Sequence, residues 1–422
     1  MRKWLCCFLA LLLLTGCKGG EVRENRDIGL KEDVEEKQIL SIYQYKLEIV
    51  EPLRRLADAY EKMNPNVRII LQNSGGTDYY EMIKAEFAAG TQIDIFNIGT
   101  KDQLLTWQST LEDLSDQSWV AHLKNKVADR ITIDGKIYGM PYAIEGYGFI
   151  YNKTLFERAG ILSLPNDYTE FVEMVKQLDD SGIRPFYNDY QEWWVISQHS
   201  FNFVIAGQND PEAFIEGLRN GTVDLTNNQA MYKWLDLIDL TLKYGQEKPF
   251  MTGYSQSLEA FSKGEAAMIF QGNWTQDQLD QLNPELDMGI LAVPLTENLK
   301  GKIPIGVPSY WCVNKQSNVK DIAKDFLDFM VNSQIGQSYM TDEFKFIPSF
   351  NHIPYDIVEL GLLSESVNQY LDSGQYYDWY WLGLPTGAIN EMNTYFYKYF
   401  NGEMELEKML ESIEDLIYSL SN

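Results

Sequence analysis

Apolar positions in the N-terminal part of the chain change between a period of two and a helical period. Residues 39–43 form a short apolar run, 67–71 alternate apolar and polar, and 93–96 form another apolar run, so each predicts a strand. Between them, 51–63 and 78–89 place apolar side chains on one helical stripe, and they end at Asn64-Pro65 and at Gly90. This β-α-β-α-β series predicts an α/β sheet with helices on its faces, where ligands lie beyond the carboxyl ends of the strands.

The same patterns continue to the C-terminus. Amphipathic helices are predicted at 169–178, 231–244, 319–331 and 406–419, residues 182–186 lead into a strand, and buried strands are predicted at 268–270 and 305–313. About 385 residues then need a folded core, which is more than one core usually accommodates. We therefore expect two lobes.

The first 37 residues have a different character. Arg2 and Lys3 precede an apolar run at 4–14, which is about half the length that spans a bilayer, so 1–16 is predicted to be a signal peptide. The run ends in Leu14-Thr15-Gly16-Cys17, which resembles a bacterial lipobox and predicts a lipidated (palmitate-bearing) Cys17. Charged residues dominate up to Lys37, so 17–37 is predicted to be the lipid anchor and a flexible tether. The protein is expected on the extracytoplasmic face of the cell membrane, held by lipid only.

The net charge and the few cysteines and histidines argue against several classes of function. A formal net charge of −26 makes nucleic acid and anionic lipid poor partners. Only Cys312 remains after the lipobox, so no intramolecular disulfide is expected. The three histidines, His122, His199 and His352, are not at ligand spacing, so we expect no metal and no other cofactor.

One carboxylate stands out in the segment 139–153, which is otherwise aromatic, glycine-rich and uncharged until Lys153. Glu145 would cost several kcal/mol to bury unpaired, so tyrosine hydroxyls, backbone amides, a cation or a polar ligand must meet it. The spacing alone leaves these partners open.

Aromatic residues also cluster in segments predicted to be loops, around Glu192, after Asn273 and at 376–381. Aromatic faces pack on the apolar face of a pyranose while carboxylates and amides bind its hydroxyls, so a carbohydrate or another polar ring-shaped ligand is indicated. The alternative is that the rings pack between lobes or on helices. A glycosidase would need two carboxylates, which Glu145 with Glu192 or Asp94 could supply. No motif for a serine hydrolase, P-loop, dinucleotide site or zinc protease is present, so no catalytic residues are assigned.

Several motifs together resemble the family of extracellular solute-binding proteins that includes maltose-binding protein, the carbohydrate receptors of ABC importers. The matching segments, in order, are FAAGT at 87–91, DIF at 94–96, DGKIYGMPY at 134–142, YNKTLF at 151–156, FSKGEAAM at 261–268 and GNW at 272–274.

The resemblance implies a two-lobed fold, similar to that of periplasmic binding proteins, with hinge crossings and a ligand cleft between the lobes. The first lobe would comprise 38–145 and 306–350, and the second 146–305 and 351–422. The chain would cross near 143–147, 303–308 and 349–355. It also implies a monomer that binds a sugar, here expected to be an oligosaccharide, and delivers it to the importer's permease subunits, with no enzymatic turnover.

The resemblance also assigns site residues. Glu145 matches the acid that binds sugar hydroxyls at the first crossing, and Trp274 matches the ring that stacks on the sugar. Replacing Glu145 by Ala is accordingly expected to weaken binding more than folding. The other expected ligand contacts are Glu192 with Trp193 in the second lobe, the strand-end residues Gln44, Asn97 and Gly99, Ser309 and Tyr310 in place of a Gly-Gly turn, and Trp381.

Three alternatives to a sugar receptor stay open. Acidic and aromatic side chains also suit a cationic ligand, such as a polyamine, or a peptide. An exported glycosidase and a sensory or adhesive lipoprotein without an importer are the others.

Overall fold

The structure is a computed structural model that describes residues 37–74, 78–91 and 93–422. The predicted signal peptide, the predicted lipobox with Cys17, and all of the predicted tether except Lys37 lie outside the described residues. Within the described part of the chain, no helix is both long enough and apolar enough to span a bilayer.

Most strands of the described residues are short, and β7 is the longest. In chain order they are β1 Gln38–Gln44, β2 Val67–Asn73, β3 Ile95–Ile98, β4 Thr132–Ile133, β5 Lys136–Ile137, β6 Met140–Pro141, β7 Ala143–Asn152, β8 Met268–Gly272, β9 Met288–Leu291, β10 Ile303–Gly306, β11 Tyr310–Val313, β12 Ile347–Pro348 and β13 Tyr376–Tyr377.

Helices cover the sheets and are the main regular structure of the C-terminal third. In chain order they are α1 Val50–Met63, α2 Asp78–Ala89, α3 Lys101–Trp107, α4 Lys153–Arg158, α5 Tyr168–Asp180, α6 Asn202–Ala206, α7 Pro211–Arg219, α8 Gln229–Lys243, α9 Tyr254–Ser262, α10 Gln276–Leu282, α11 Lys320–Asn332, α12 Gln334–Ser338, α13 Leu362–Ser373, α14 Ala388–Phe400 and α15 Leu406–Ser421. Short 3-10 and π turns connect several of them, including the π turn Val195–Ser200 and the 3-10 turns Asn273–Thr275 and Tyr380–Gly383.

The first sheet has the strand order β2-β1-β3-β11-β6. β1 runs parallel to β2 and β3, as the alternating helices and strands of this region predict, while β11 returns antiparallel to β3. The apolar stripe of α1, with Leu53 and Leu56 fully buried, packs on this sheet. We call the first sheet and the helices on it the first lobe.

The second sheet is built on β7, whose ten residues are almost all buried. β7 pairs with β12, β10, β8 and β9, and β13 lies on the far side of β10. Gly148 allows the close approach of β9, because a Cβ there would lie 2.6 Å from the carbonyl oxygen of Leu291. We call this sheet and the helices packed around it the second lobe.

The chain passes between the sheets at three places, two of which are adjacent. The third lies between β11 and β12, because β12 pairs with β7 of the second sheet. β6 belongs to the first sheet and β7, two residues later, to the second. β10 pairs with β7, where Gly306 faces Glu145, whereas β11 pairs with β3. The prediction of one strand-like run at 305–313 is therefore wrong, because residues 307–309 separate two strands that belong to different sheets.

All six predicted helices are confirmed, with small shifts at their ends. The segment predicted to lead into a strand at 182–186 makes only an isolated bridge from Phe186 to Met268. The sequence pattern missed several elements, among them α13, α14 and β7, whose apolar residues show no period of two.

Candidate functional site

Glu145 has a protein partner that its sequence neighbourhood does not contain. The side chain, 4% exposed in β7, accepts a hydrogen bond from Lys46 Nζ at 2.6 Å, and Lys46 comes 99 residues earlier in the loop after β1. Lys46 Nζ also contacts Glu48 Oε1 at 2.5 Å. Burial alone would lower the pKa of Lys46, but the two carboxylates outweigh it and hold that pKa above its ordinary value. Lys46 is therefore a buried cation paired with two acids.

Three of the other predicted residues lie around this ion pair. Gln44, the last residue of β1, accepts from the Lys46 amide at 2.7 Å and donates to the Lys46 carbonyl at 2.8 Å. Asn97 in β3 donates to Ser309 Oγ at 3.3 Å, and Ser309 shares a 2.7 Å hydrogen bond with the Tyr142 hydroxyl. The Asn97 Oδ1 atom is buried and has no partner among the described residues.

A second group of side chains forms an aromatic cluster, which we define as Tyr147, Trp194, His199, Trp274, Trp379 and Trp381. Tyr147 and His199 stack with centroids 4.3 Å apart, and His199 lies 5.2 Å from Trp274. Trp379 and Trp381 are buried and stack on each other at 5.9 Å. Trp274 remains half-buried and donates from Nε1 to Gln271 Oε1 at 3.0 Å. Two of the predicted rings, Trp274 and Trp381, thus belong to one cluster.

Glu192 is held at the start of a helix. Its Oε1 accepts from the backbone N–H of Tyr254, the first residue of α9, at 3.0 Å, which is a favourable place for a carboxylate. The Tyr254 ring lies 5.9 Å from Trp194, which in turn lies 6.1 Å from Trp274. Glu192 is therefore linked to the aromatic cluster through two rings.

The two groups meet around Tyr254. Burial raises the pKa of its hydroxyl well above the ordinary value, and the nearby carboxylates of Glu48, Asp189, Glu145 and Glu192 raise it further. Carboxylates from both lobes therefore lie near enough to this tyrosine, beside the aromatic cluster, to raise its pKa.

The remaining predicted residues are held by other contacts. The Gly99 amide donates to Gln103 Oε1 at 2.9 Å, and the Trp193 carbonyl accepts from Ser197. Tyr310 is buried near the ion pair between Arg130 and Asp378, whose 2.7 Å contact connects segments of the two lobes. Arg219 and Asp102 form a second connection between the lobes at 3.3 Å.

Sequence reasoning missed Lys46, Tyr142, His199, Asp189 and Gln271. Lys46 lies three residues after the end of the strand predicted at 39–43, and ligands in α/β sheets lie beyond such strand ends, so this position was the available signal. Among the described residues, no group of His, Cys, Asp and Glu side chains could hold a metal ion.

Gly272→Ala is expected to displace the Trp274 ring. A Cβ at this position would lie 2.6 Å from both the Gly146 carbonyl oxygen and Trp274 Cε3, so the indole must move. We expect a loss of about 1–3 kcal/mol of stability, as for overpacked sites, and an altered near-ultraviolet circular dichroism signal. Gly289→Ala is the control, since its Cβ would meet the Tyr151 ring at 3.0 Å in the same sheet. Equal spectral changes in both variants would contradict this prediction.

The family model described as "Bacterial extracellular solute-binding protein" matches residues 55–356, which is more than half of the chain. The chain belongs to this family. The family is one of binding proteins, and its members are extracellular.

Relatives of this solute-binding protein support the assignment. It is 22% identical over 340 residues to the multiple sugar-binding protein of Streptococcus mutans, covering 78% of both chains. It is 24% identical over 344 residues to the melibiose/raffinose/stachyose-binding protein MelE of Bacillus subtilis, covering 78% of this chain and 77% of the relative. The solved structure of the solute-binding protein RafE with raffinose superposes with a TM-score of 0.78 at 20% identity, over 91% of this chain and 100% of that one. The two-lobed α/β solute-binding fold is thereby confirmed.

Proposed function

We propose that this solute-binding protein binds an oligosaccharide between its lobes and delivers it to an ABC importer. The observation that carries the proposal is the half-buried Trp274 within the aromatic cluster. An indole face accepts the apolar face of a sugar ring, and the unpartnered Asn97 Oδ1 is suited to accept from a hydroxyl. The relatives named for sugars support the same ligand class.

The mechanism we propose is binding without turnover. Ligand that contacts both lobes shifts a hinge equilibrium toward the closed form by its differential affinity. The hinge would use the passages between the sheets. The predicted lobe limits, 38–145 with 306–350 and 146–305 with 351–422, lie close to these passages. The importer's permease subunits would then recognise the closed form of a monomer anchored through lipid on Cys17.

Trp274→Ala is expected to weaken sugar binding by about 2 kcal/mol, roughly 30-fold, as for a tryptophan at a binding hot spot. Isothermal titration of the purified protein with melibiose, raffinose, stachyose and maltooligosaccharides would measure this effect. Trp107→Ala is a matched control, because Trp107 is also half-buried but packs on Phe87 and Phe96 of the first lobe. If no sugar in the panel binds the wild-type protein, or if both variants lose equal affinity, the proposed role fails.

A cationic ligand is the second candidate. The carboxylates of Glu48, Glu145, Asp189 and Glu192 around Tyr254 favour it, because acids and aromatic rings together bind cations. Titration with spermidine and with short basic peptides separates the two candidates. Saturable binding of these probes without any sugar response would favour this one.

A further inference from the structure

Asp189 is a buried carboxylate whose two oxygens differ in their hydrogen-bond partners. The side chain is fully buried, and Oδ2 accepts from Gln271 Nε2 at 2.7 Å and from Ser257 Oγ at 2.9 Å. Oδ1 is also buried but has no hydrogen-bond partner among the described residues. Burying an incompletely paired carboxylate costs free energy, so packing alone does not account for this residue.

Gln271 connects this carboxylate to Trp274. A carboxylate accepts but does not donate, so Asp189 requires the NH₂ end of the Gln271 amide to face it. The amide oxygen must then point the other way, where it accepts from Trp274 Nε1 at 3.0 Å. The indole N–H can only donate, so a flipped Gln271 would place two donors against each other. The orientation of Gln271, and through it the hydrogen bond of the indole, therefore depends on Asp189.

The same carboxylate joins three elements of the second lobe. Asp189 lies in the loop before Glu192, Ser257 lies in α9, and Gln271 lies in β8 directly before the turn that carries Trp274. Gln271 faces Gly148 of β7 in the sheet, so its backbone position is fixed independently of its side chain. The side-chain amide is thus the adjustable part of this chain of contacts.

We propose that Asp189 is a positioning residue of the ligand site, which sets the plane of the Trp274 indole through the Gln271 amide. The inference rests on the proposed function of Trp274 as a surface for sugar stacking. A ring held in one plane loses less freedom when a ligand stacks on it, which strengthens binding without a new contact. Asp189 itself acts through Gln271.

Ionisation of Asp189 gives a readout that a purely structural role would not provide. Burial raises the pKa of Asp189 to about 7, and Glu192 also raises it. The other titratable groups near it are Tyr190, in the same loop, and Tyr254 at the start of α9. Above pH 7 both oxygens are acceptors, whereas below it one oxygen carries a proton and the acceptor for Gln271 weakens.

The test follows the Trp274 indole N–H directly, in purified protein labelled with ¹⁵N-tryptophan, where Trp274→Phe assigns the resonance. In the wild-type protein we expect this resonance to shift with a midpoint near pH 7. Asp189→Asn keeps an acceptor oxygen but does not ionise, so the shift should disappear while stachyose affinity at pH 8 stays within about threefold. Asp189→Leu removes the acceptor, so the resonance should move at every pH and the affinity should fall about tenfold.

Asp94→Asn is the matched control, because Asp94 is a buried acid of the first lobe that accepts from Ser317 Oγ at 2.6 Å. This variant should leave the Trp274 resonance and its midpoint unchanged. An indole resonance that is the same in Asp189→Leu as in the wild type, or a midpoint near pH 7 that persists in Asp189→Asn, would overturn the proposal. If Asp189→Leu does not fold, the Asp189→Asn titration decides. The resonance is measured without sugar, so failure of wild-type protein to bind stachyose counts against the proposed function alone.

Discussion

Lys46→Met is expected to destabilise the protein by about 3–5 kcal/mol, because it leaves the Glu145 carboxylate buried without its cation. Both side chains are about 5% exposed, so water cannot replace the lost partner. The methionine fills most of the volume of the lysine stem, which separates the loss of charge from the loss of packing. Chemical denaturation at pH 7, followed by tryptophan fluorescence, would measure the change in the free energy of unfolding.

Two further variants test whether charge is the cause. Lys46→Met combined with Glu145→Leu should recover most of the stability, because two apolar side chains can replace a buried ion pair at little cost. Lys84→Met removes an exposed ion pair with Glu81 and should change stability by less than about 1 kcal/mol. Similar losses in the Lys46 and Lys84 variants, or no recovery in the double variant, would show that the pair does not hold the two segments together.

The Lys46 contact also bears on the expectation for Glu145→Ala. The sequence indicated that loss of this carboxylate would weaken binding more than folding, and that stays a prediction. The structure adds a folding cost, since the alanine variant leaves Lys46 buried beside Glu48 alone. Affinity should therefore be compared with stability in the same variant before a binding role is concluded.

Local patterns explain why much of the first lobe could be predicted. The apolar stripes of α1 and α2, the alternation of β2 and the apolar run of β1 are each complete within their segment, so their burial follows from the sequence. The resemblance placed Gln44 and Asn97 at strand ends as ligand contacts, which stays a prediction; in the structure Gln44 bonds the Lys46 backbone and Asn97 donates to Ser309. The partner of Glu145 could not be predicted from the sequence, because its contact with Lys46 depends on how two distant segments pack together.

The aromatic residues show even more clearly that contacts between distant segments cannot be predicted from local patterns. The rings at 376–381 were placed in a polar loop, yet Trp379 and Trp381 are buried against Tyr147 and His199. Gly306 permits this packing, because a Cβ there would lie 2.8 Å from the Trp379 ring. A ring in a loop has no period that tells which lobe covers it, so only the fold distinguishes a packing ring from a half-buried one such as Trp274.

The second large effect concerns acid stability, which we expect His199 to reduce. Burial lowers the pKa of His199 to about 3, whereas an unfolded histidine titrates near its ordinary value of 6.5. Between these values the unfolded chain binds a proton that the folded protein does not, so stability falls as the pH falls from about 6.5 to 3. At pH 4 the contribution is about 3 kcal/mol. The stability of the wild-type protein at pH 7 and pH 4, compared with that of His199→Phe, measures it.

His199→Phe keeps an aromatic ring stacked on Tyr147, so its loss of stability between pH 7 and pH 4 should be about 3 kcal/mol smaller than that of the wild type. Asp189→Asn provides a control of opposite sign. The raised pKa of Asp189 means that the folded protein holds a proton that the unfolded chain has released, so wild-type stability falls as the pH rises from about 4 to 7. Removing that group should increase stability at pH 7 relative to pH 4. If the stability lost between pH 7 and pH 4 becomes smaller in His199→Phe and larger in Asp189→Asn, the acid sensitivity is assigned to His199. Changes of this loss in the same direction in both variants would refute that assignment.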